Sequence, residues 1–201
     1  MSRFLGFYDY TVILTYASLL SAVSSMFYAS QGNYFYAVFF LMLSGLCDAF
    51  DGAVARSKKD RTEEGKAFGI QIDSLCDLIS FGVAPAALCF FLGVDGLAGR
   101  LILFFYCLCA VIRLAFFNVL EIQRQQTEGG ANKYYRGLPV TSISIILPLF
   151  CLLQYVLDDH LFVLLLHPLM LAVGFLFILD FQVKKPHLPG EAPGGNGVTG
   201  S

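Results

Sequence analysis

Long apolar segments alternate with short polar segments along most of this chain. A helix needs ~20 mostly apolar residues to cross a bilayer, and it satisfies its own backbone hydrogen bonds in lipid. The pattern therefore predicts an all-α integral membrane protein, a bundle of six transmembrane helices joined by short loops. The six predicted spans are Tyr10–Ala29, Tyr34–Val54, Phe68–Leu92, Leu97–Val119, Leu138–Leu157 and Leu161–Phe181.

The composition also indicates a membrane protein. The chain is 57% hydrophobic and 14% charged, with a mean hydropathy of +0.68, which lies outside the range of soluble domains. We expect one transmembrane domain over residues 1–183. Residues 184–201 are rich in Gly and Pro without periodicity, which predicts a flexible cytoplasmic C-terminal tail. Because Met1–Tyr8 lacks a basic run, we expect no cleavable signal peptide.

The placement of Lys and Arg predicts the orientation in the membrane. If the N-terminus is cytoplasmic, the outside loops contain only Arg100, and every other basic residue lies in an inside segment. This asymmetry follows the positive-inside rule. We therefore expect both termini on the cytoplasmic side of the cell membrane.

The cysteines are expected to be structural. None forms a CxxC pair, so free thiols packed as small apolar side chains are the better interpretation. Thiolates also select softer metals than an oxygen site does. All six lie within predicted spans: Cys47, Cys76, Cys89, Cys107, Cys109 and Cys151.

Four aspartates interrupt the apolar segments. Asp48 and Asp51 are spaced i,i+3, and Asp73 and Asp77 are spaced i,i+4, so each pair shares one helix face. Intramembrane carboxylates are costly and usually functional. They could instead pair with cations to hold helices together, but no comparable set of cations lies in the same segments. Hard divalent cations prefer such oxygen ligands, so we expect Mg²⁺ or Mn²⁺, with two ions to neutralise four carboxylates.

These aspartates belong to a longer motif, Asp48-x-x-Asp51-Gly52-x-x-Ala55-Arg56 followed by Gly69-x-x-x-Asp73-x-x-x-Asp77. It resembles the signature of the CDP-alcohol phosphotransferase family at every fixed position, although the spacer Ser57–Phe68 is longer than the family usually has. The resemblance implies that an alcohol attacks the phosphate of a CDP-linked group and that CMP leaves. It also implies that the four aspartates bind two ions and that Asp77 is the general base.

The other motif positions fit a bound CDP-lipid. Gly52 and Gly69 allow a nucleotide to approach the helix backbone closely, although small residues also serve helix packing in membranes. Ala55 keeps the same face open. Arg56 can reach a phosphate or the pyrimidine edge, or it can be a positive-inside anchor.

Three later segments bear on the acceptor. The first, Leu78–Ala86, contains the motif FGVAP. The second, RLxxFN, runs from Arg113 to Asn118, and the third, RGLP, begins at Arg136. These segments resemble the bacterial and archaeal phosphatidylserine synthase branch of the family, which implies CDP-diacylglycerol and L-serine as substrates. Arg113 and Arg136 can bind anions and Asn118 can both donate and accept. Alternatively, the arginines are membrane-boundary anchors.

The sequence is also compatible with other functions. Glycerol-3-phosphate or inositol phosphate as acceptor would need a denser basic pocket, for which Lys133 and Arg136 are available. Aspartate-rich membrane prenyltransferases are usually longer. A divalent-cation transporter would need polar residues along a path across the bilayer. The outer halves of the third and fourth predicted spans are instead apolar, with the sequences LCFFLGV and LILFFYC.

The aspartates lie towards one membrane face, which favours an active site at the cytoplasmic side. We expect membrane lipid as a partner and no nucleic acid, and the resemblance implies a homodimer.

Overall fold

The computed structural model describes residues 12–57, 63–126, 134–180 and 182–184. Within them the helices run in chain order: α1 Ile13–Ser30, α2 Tyr34–Ser57, α3 Glu63–Asp77, α4 Ala84–Phe91, α5 Leu97–Gln126, α6 Ile143–Cys151 and α7 Asp159–Ile178. A π-helical segment, Leu78–Val83, joins α3 to α4 without a break, and 3₁₀ turns at Val140–Ser142 and Leu152–Tyr155 flank α6.

The membrane-spanning character predicted from the sequence is confirmed. Four helical stretches in the described part of the chain are long and apolar enough to cross a bilayer, so this is a multi-pass membrane protein. They are Ile13–Ser30, Ala67–Phe91, Leu97–Gln123 and Asp159–Ile178. The second and fifth predicted spans correspond to shorter apolar stretches, Tyr34–Phe50 and Val140–Tyr155.

A small antiparallel strand pair departs from the all-α prediction. β1, Tyr134–Arg136, pairs with β2, Gln182–Lys184, so that Arg136 lies opposite Gln182. Each strand has three residues, too few to show the alternating pattern by which strands are recognised. The pair brings the segment before α6 against the segment after α7.

Small residues allow α1 and α2 to pack closely. The buried face of α1 consists of hydroxyl and methyl side chains, and Ser25 donates from Oγ to the carbonyl of Ala37 at 2.7 Å. Small and hydroxyl-bearing residues are favoured between membrane helices for this reason. A tight turn joins the two helices, with Gly32 at a φ of 75°.

The π-helical segment replaces part of the continuous helix predicted over Phe68–Leu92. Pro85 has no backbone N–H, so it cannot donate to the carbonyl of Phe81, four residues earlier. The hydroxyl of Tyr106, on α5, donates to that carbonyl at 2.5 Å, and Tyr106 is completely buried. A side chain from another helix thus stabilises the change in helical pattern, which begins immediately after Asp77.

The six cysteines are all free thiols, as predicted.

Candidate metal centre and adjoining cavity

Three of the four motif aspartates come together. Asp48 lies on α2, and Asp73 and Asp77 lie one turn apart on α3. One carboxylate oxygen from each lies within 4.8 Å of the other two, and all three residues are half-buried. Oxygens on opposite sides of a Mg²⁺ ion are about 4.2 Å apart. The donor set, which is entirely oxygen, and its spacing therefore suit a hard divalent cation after only small side-chain rotations.

A buried hydroxyl cluster ties together the elements that carry these carboxylates. Ser44 precedes Asp48 by one turn of α2, and Ser80 follows Asp77 by three residues. The Oγ of Ser18, on α1, lies 2.9 Å from the Oγ of Ser44 and 3.5 Å from that of Ser80. All three serines are at most 2% exposed. Helix α1 therefore holds α2 and the start of the π-helical segment in one relative position.

A cavity of about 450 Å³ adjoins two of these carboxylates. Residues of α3, α5 and the segment before α6 form its walls. Apolar side chains, including Leu114 and Phe117, line part of it. The charged and amide side chains that line it are Asp73, Asp77, Arg113, Asn118 and Glu121. The cavity thus joins the acidic cluster to residues that can recognise a polar ligand.

Arg113 has a structural contact in addition to its place in the cavity wall. Its Nη1 donates to the carbonyl of Phe177 at 3.0 Å, and its guanidinium lies 4.5 Å from the ring centroid of Phe117. Phe177 lies in the last turn of α7, where backbone carbonyls have no partner within the helix. Arg113 therefore both caps α7 and faces the cavity.

The glycine of RGLP provides space for that guanidinium. Gly137 has a φ of 65°, and a Cβ built there would lie 2.7 Å from Nη1 of Arg113 and 2.8 Å from the carbonyl oxygen of Leu179. Only glycine fits both the backbone conformation and the contact. Two segments that are distant in sequence, RLxxFN and RGLP, thus meet at one place.

For the other predicted site residues, the structure gives the position in a helix or strand. Asp51, Gly52, Ala55 and Arg56 lie on the last turns of α2, and Gly69 lies one turn before Asp73 on α3. Arg136 ends β1, directly before Gly137. Apart from Gly69, which is half-buried, the side-chain environments of these residues lie outside the described part of the structure.

Sequence reasoning missed three cavity residues, Ser74, Glu121 and Thr141. Glu121 lies beyond the predicted fourth span, which ends at Val119, whereas α5 continues to Gln126. Its signal was its spacing from Asn118, because residues three positions apart on a helix share one face. Ser74 had only its position beside Asp73 to identify it.

Comparisons with known proteins agree with the motifs. The profile of the CDP-alcohol phosphatidyltransferase family matches residues 11–179. A CDP-diacylglycerol–serine O-phosphatidyltransferase of Saccharomyces cerevisiae is 35% identical over 167 residues, which are 80% of this chain and 59% of the relative. One of Methanocaldococcus jannaschii is 33% identical over 75% of this chain and 64% of the relative.

An archaetidylserine synthase of Methanothermobacter thermautotrophicus is 38% identical over 67% of this chain and 55% of the relative. The chain thus spans less than two thirds of the length of these three relatives. No solved structure gives a significant match. The family profile covers most of the sequence, including every aspartate of the acidic motif, and the chain therefore belongs to the CDP-alcohol phosphatidyltransferase family.

Proposed function

We propose that this protein transfers the phosphatidyl group of CDP-diacylglycerol to the hydroxyl of L-serine, giving phosphatidylserine and CMP. The observation that carries the proposal is the convergence of Asp48, Asp73 and Asp77 beside a cavity that also presents Arg113 and Asn118. Family membership and the similarity to serine phosphatidyltransferases support the same reaction.

Asp48, Asp51, Asp73 and Asp77 would hold the divalent ions, Mg²⁺ or Mn²⁺, and we propose two of them. Such ions neutralise a pyrophosphate and stabilise both the attacking and the leaving oxygen. Asp51 lies three residues after Asp48 on α2, which is compatible with a shared helix face. An all-oxygen donor set on two helices is the observation that supports this assignment.

Asp77 is the proposed general base. It removes the proton from the acceptor hydroxyl as the hydroxyl oxygen attacks the phosphorus that carries diacylglycerol. The bond from that phosphorus to the CMP oxygen breaks, and CMP leaves with the electron pair. Asp77 suits this role because it belongs to the acidic cluster and also lines the cavity in which an acceptor can lie.

We assign CDP-lipid binding to Gly52, Ala55, Arg56 and Gly69. Arg56 would pair with a phosphate of the donor, since a guanidinium binds phosphate oxygens in pairs. All four lie on α2 or α3, the helices that carry the aspartates. The nucleotide would then lie across these two helices, with its pyrophosphate towards the carboxylate cluster.

The acceptor would lie on the α5 side of the cavity, where Arg113, Asn118 and Arg136 are its proposed ligands. A phosphorylated acceptor, such as glycerol-3-phosphate or inositol phosphate, would need a denser basic pocket, whereas Arg113 is the one cation among the described residues that line this cavity. A serine carboxylate needs only a single cationic partner, and Arg113 is positioned to supply it.

An ion-transport function is disfavoured by the contacts of the buried hydroxyls on α1. Ser18 bonds to Ser44, Ser21 donates to the carbonyl of Ala17 at 2.9 Å, and Ser25 donates to that of Ala37. A cation path would need oxygen atoms directed into a channel. These hydroxyls are instead engaged with neighbouring protein groups.

We further propose the membrane arrangement predicted from the sequence. The two shorter apolar stretches would complete six spans, with both termini and the active site at the cytoplasmic side of the cell membrane. Residues 1–183 would form the transmembrane domain, which acts as a homodimer. Residues 184–201 would form a flexible cytoplasmic tail, of which 185–201 lie outside the described residues.

An acceptor screen tests the proposed reaction. The purified full chain is incubated with CDP-diacylglycerol vesicles and radiolabelled L-serine, glycerol-3-phosphate or inositol phosphate, and the labelled lipid is measured. We expect label in lipid with serine alone. Incorporation of a phosphorylated acceptor in place of serine would overturn the assignment while retaining the family chemistry.

A further inference from the structure

We propose that strand β2, Gln182–Lys184, is a positioning element of the acceptor site. Its pairing with β1 holds the RGLP segment, and thereby Arg113 and the α6 side of the cavity, in the place that serine binding requires. This inference rests on the proposed transfer to serine. It gives a role in acceptor binding to the chain after α7, although the described wall of the cavity ends at Thr141.

The last turn of α7 is bonded to two parts of the acceptor site. Carbonyls in the last turn of a helix have no donor within that helix. The carbonyl of Leu176 accepts from the backbone N–H of Leu138 at 3.3 Å. That of Phe177 accepts from Nη1 of Arg113 at 3.0 Å. The end of α7 therefore contacts both RGLP, which contains Leu138, and RLxxFN, which begins at Arg113.

Strand β2 continues this contact beyond the helix. Helix α7 ends at Ile178, and Leu179 is extended, with a φ of −73° and a ψ of 122°. Three residues later β2 begins, and it pairs antiparallel with β1 so that Gln182 lies opposite Arg136. The residues on either side of Gly137 are thus both paired with the end of α7 or with the chain that follows it.

The backbone of RGLP also abuts the guanidinium of Arg113. Gly137 is buried, and a Cβ built there would lie 2.7 Å from Nη1 of Arg113. A displacement of this segment therefore changes the space that the guanidinium occupies. The last residue of RGLP and the two residues after it line the cavity directly: Pro139, Val140 and Thr141. The position of RGLP thus affects two parts of the cavity wall.

The carboxylate cluster is held by other connections. The Oγ of Ser18 lies 2.9 Å from that of Ser44, one turn before Asp48, and 3.5 Å from that of Ser80, three residues after Asp77. These contacts join α1, α2 and the π-helical segment and involve neither strand. Loss of the strand pairing should therefore weaken binding of the acceptor and spare binding of metal and CDP-diacylglycerol.

The test removes backbone donors of β2 in the full chain. In an antiparallel pair, alternate residues direct their N–H groups towards the partner strand. Gln182→Pro combined with Val183→Pro therefore removes the donor that faces β1, whichever of the two residues supplies it. We expect KM for serine to rise about twofold to tenfold, the range for one net hydrogen bond. The kcat at saturating serine and KM for CDP-diacylglycerol should stay near their wild-type values, which also shows that the variant is folded.

Gln182→Ala combined with Val183→Ala is the matched control, because it keeps both backbone donors. It should leave KM for serine near the wild-type value. Hydrogen exchange provides a second measurement, which needs no acceptor. The amide of Leu138, bonded to Leu176, should exchange faster in the proline variant than in the alanine variant or the wild type.

The outcomes separate this inference from the reaction on which it rests. If wild-type protein uses serine and the proline variant keeps its KM for serine, the inference is wrong and the reaction stands. An equal rise in KM for serine and for CDP-diacylglycerol would also overturn it, because β2 would then stabilise the whole fold. Unchanged exchange at Leu138 would show, whatever the acceptor is, that β2 does not hold RGLP. If wild-type protein releases no CMP in response to serine, the proposed reaction fails, and the role of β2 in serine binding fails with it.

Discussion

The hydroxyl of Ser74 donates to Oδ1 of Asn118 across 2.5 Å and joins α3 to α5. Ser74 lies between the two aspartates of α3, and Asn118 ends the RLxxFN segment that begins at Arg113. This hydrogen bond therefore sets the distance between the carboxylate cluster and the α5 wall of the cavity. The rate of transfer from a CDP-lipid bound on one side to an acceptor alcohol bound on the other depends on that distance.

Ser74→Ala should loosen this connection. Removing the donor leaves a partly buried carbonyl oxygen without its partner, which costs about 1–3 kcal/mol. We expect a lower kcat and a higher KM for serine, with little change in KM for CDP-diacylglycerol. Steady-state kinetics on vesicles measures all three. Ser24→Ala is the control, because the half-buried Ser24 donates to the carbonyl of Leu20 in its own helix.

Gly137→Ala should displace the guanidinium of Arg113. The added Cβ would lie 2.7 Å from Nη1 and 2.8 Å from the carbonyl oxygen of Leu179. We expect both Gly137→Ala and Arg113→Lys to raise KM for serine, since both changes remove the planar guanidinium from its position. The control is Gly32→Ala, because Gly32 also has a positive φ, of 75°, but nothing lies within 4 Å of the new Cβ. An equal rise in KM for serine in that control would refute the contact as the cause.

Tyr106→Phe tests the support of the π-helical segment. The change leaves the buried carbonyl of Phe81 without the hydroxyl donor and should lower the free energy of unfolding by about 1–3 kcal/mol. Because the segment begins directly after Asp77, kcat should also fall. Thermal unfolding in detergent and turnover on vesicles are the measurements.

Tyr34→Phe makes a matched comparison for that change. Tyr34 likewise donates to a backbone carbonyl, that of Phe91, at 2.6 Å, but at the opposite end of α2 from Asp48. We expect it to leave kcat unchanged. If both variants reduce kcat equally, the π-helical segment has no special relation to the aspartates.

Asp77→Asn should abolish turnover and preserve binding of CDP-diacylglycerol. An amide cannot accept the proton of the acceptor hydroxyl, while Asp48, Asp51 and Asp73 remain to hold metal. Asp95→Asn, in an exposed loop, is the control and should be fully active. Near-normal kcat in Asp77→Asn would reject Asp77 as the base. A large loss of affinity for CDP-diacylglycerol would instead indicate that Asp77 serves in metal binding alone.

Local spacing predicted the parts of this molecule that depend on one helix at a time. The i,i+4 spacing of Asp73 and Asp77 placed both on one face of α3, and hydropathy placed Asp48 on a neighbouring apolar helix. The contact between Arg113 and Gly137 was not predicted, because it depends on how α7 packs beside α5. The π-helical segment was missed for a similar reason, since Pro85 removes a donor but Tyr106 replaces it from a distant position.

The most direct test of the central claim measures CMP and phosphatidylserine together, in the purified full chain on CDP-diacylglycerol vesicles. The assay is run with and without L-serine, after rigorous metal removal, and again after Mg²⁺ or Mn²⁺ is restored. We expect equal amounts of both products only when serine and a divalent cation are present. Full turnover without metal would contradict the carboxylate centre as a metal site, and release of CMP without phosphatidylserine would contradict serine as the acceptor.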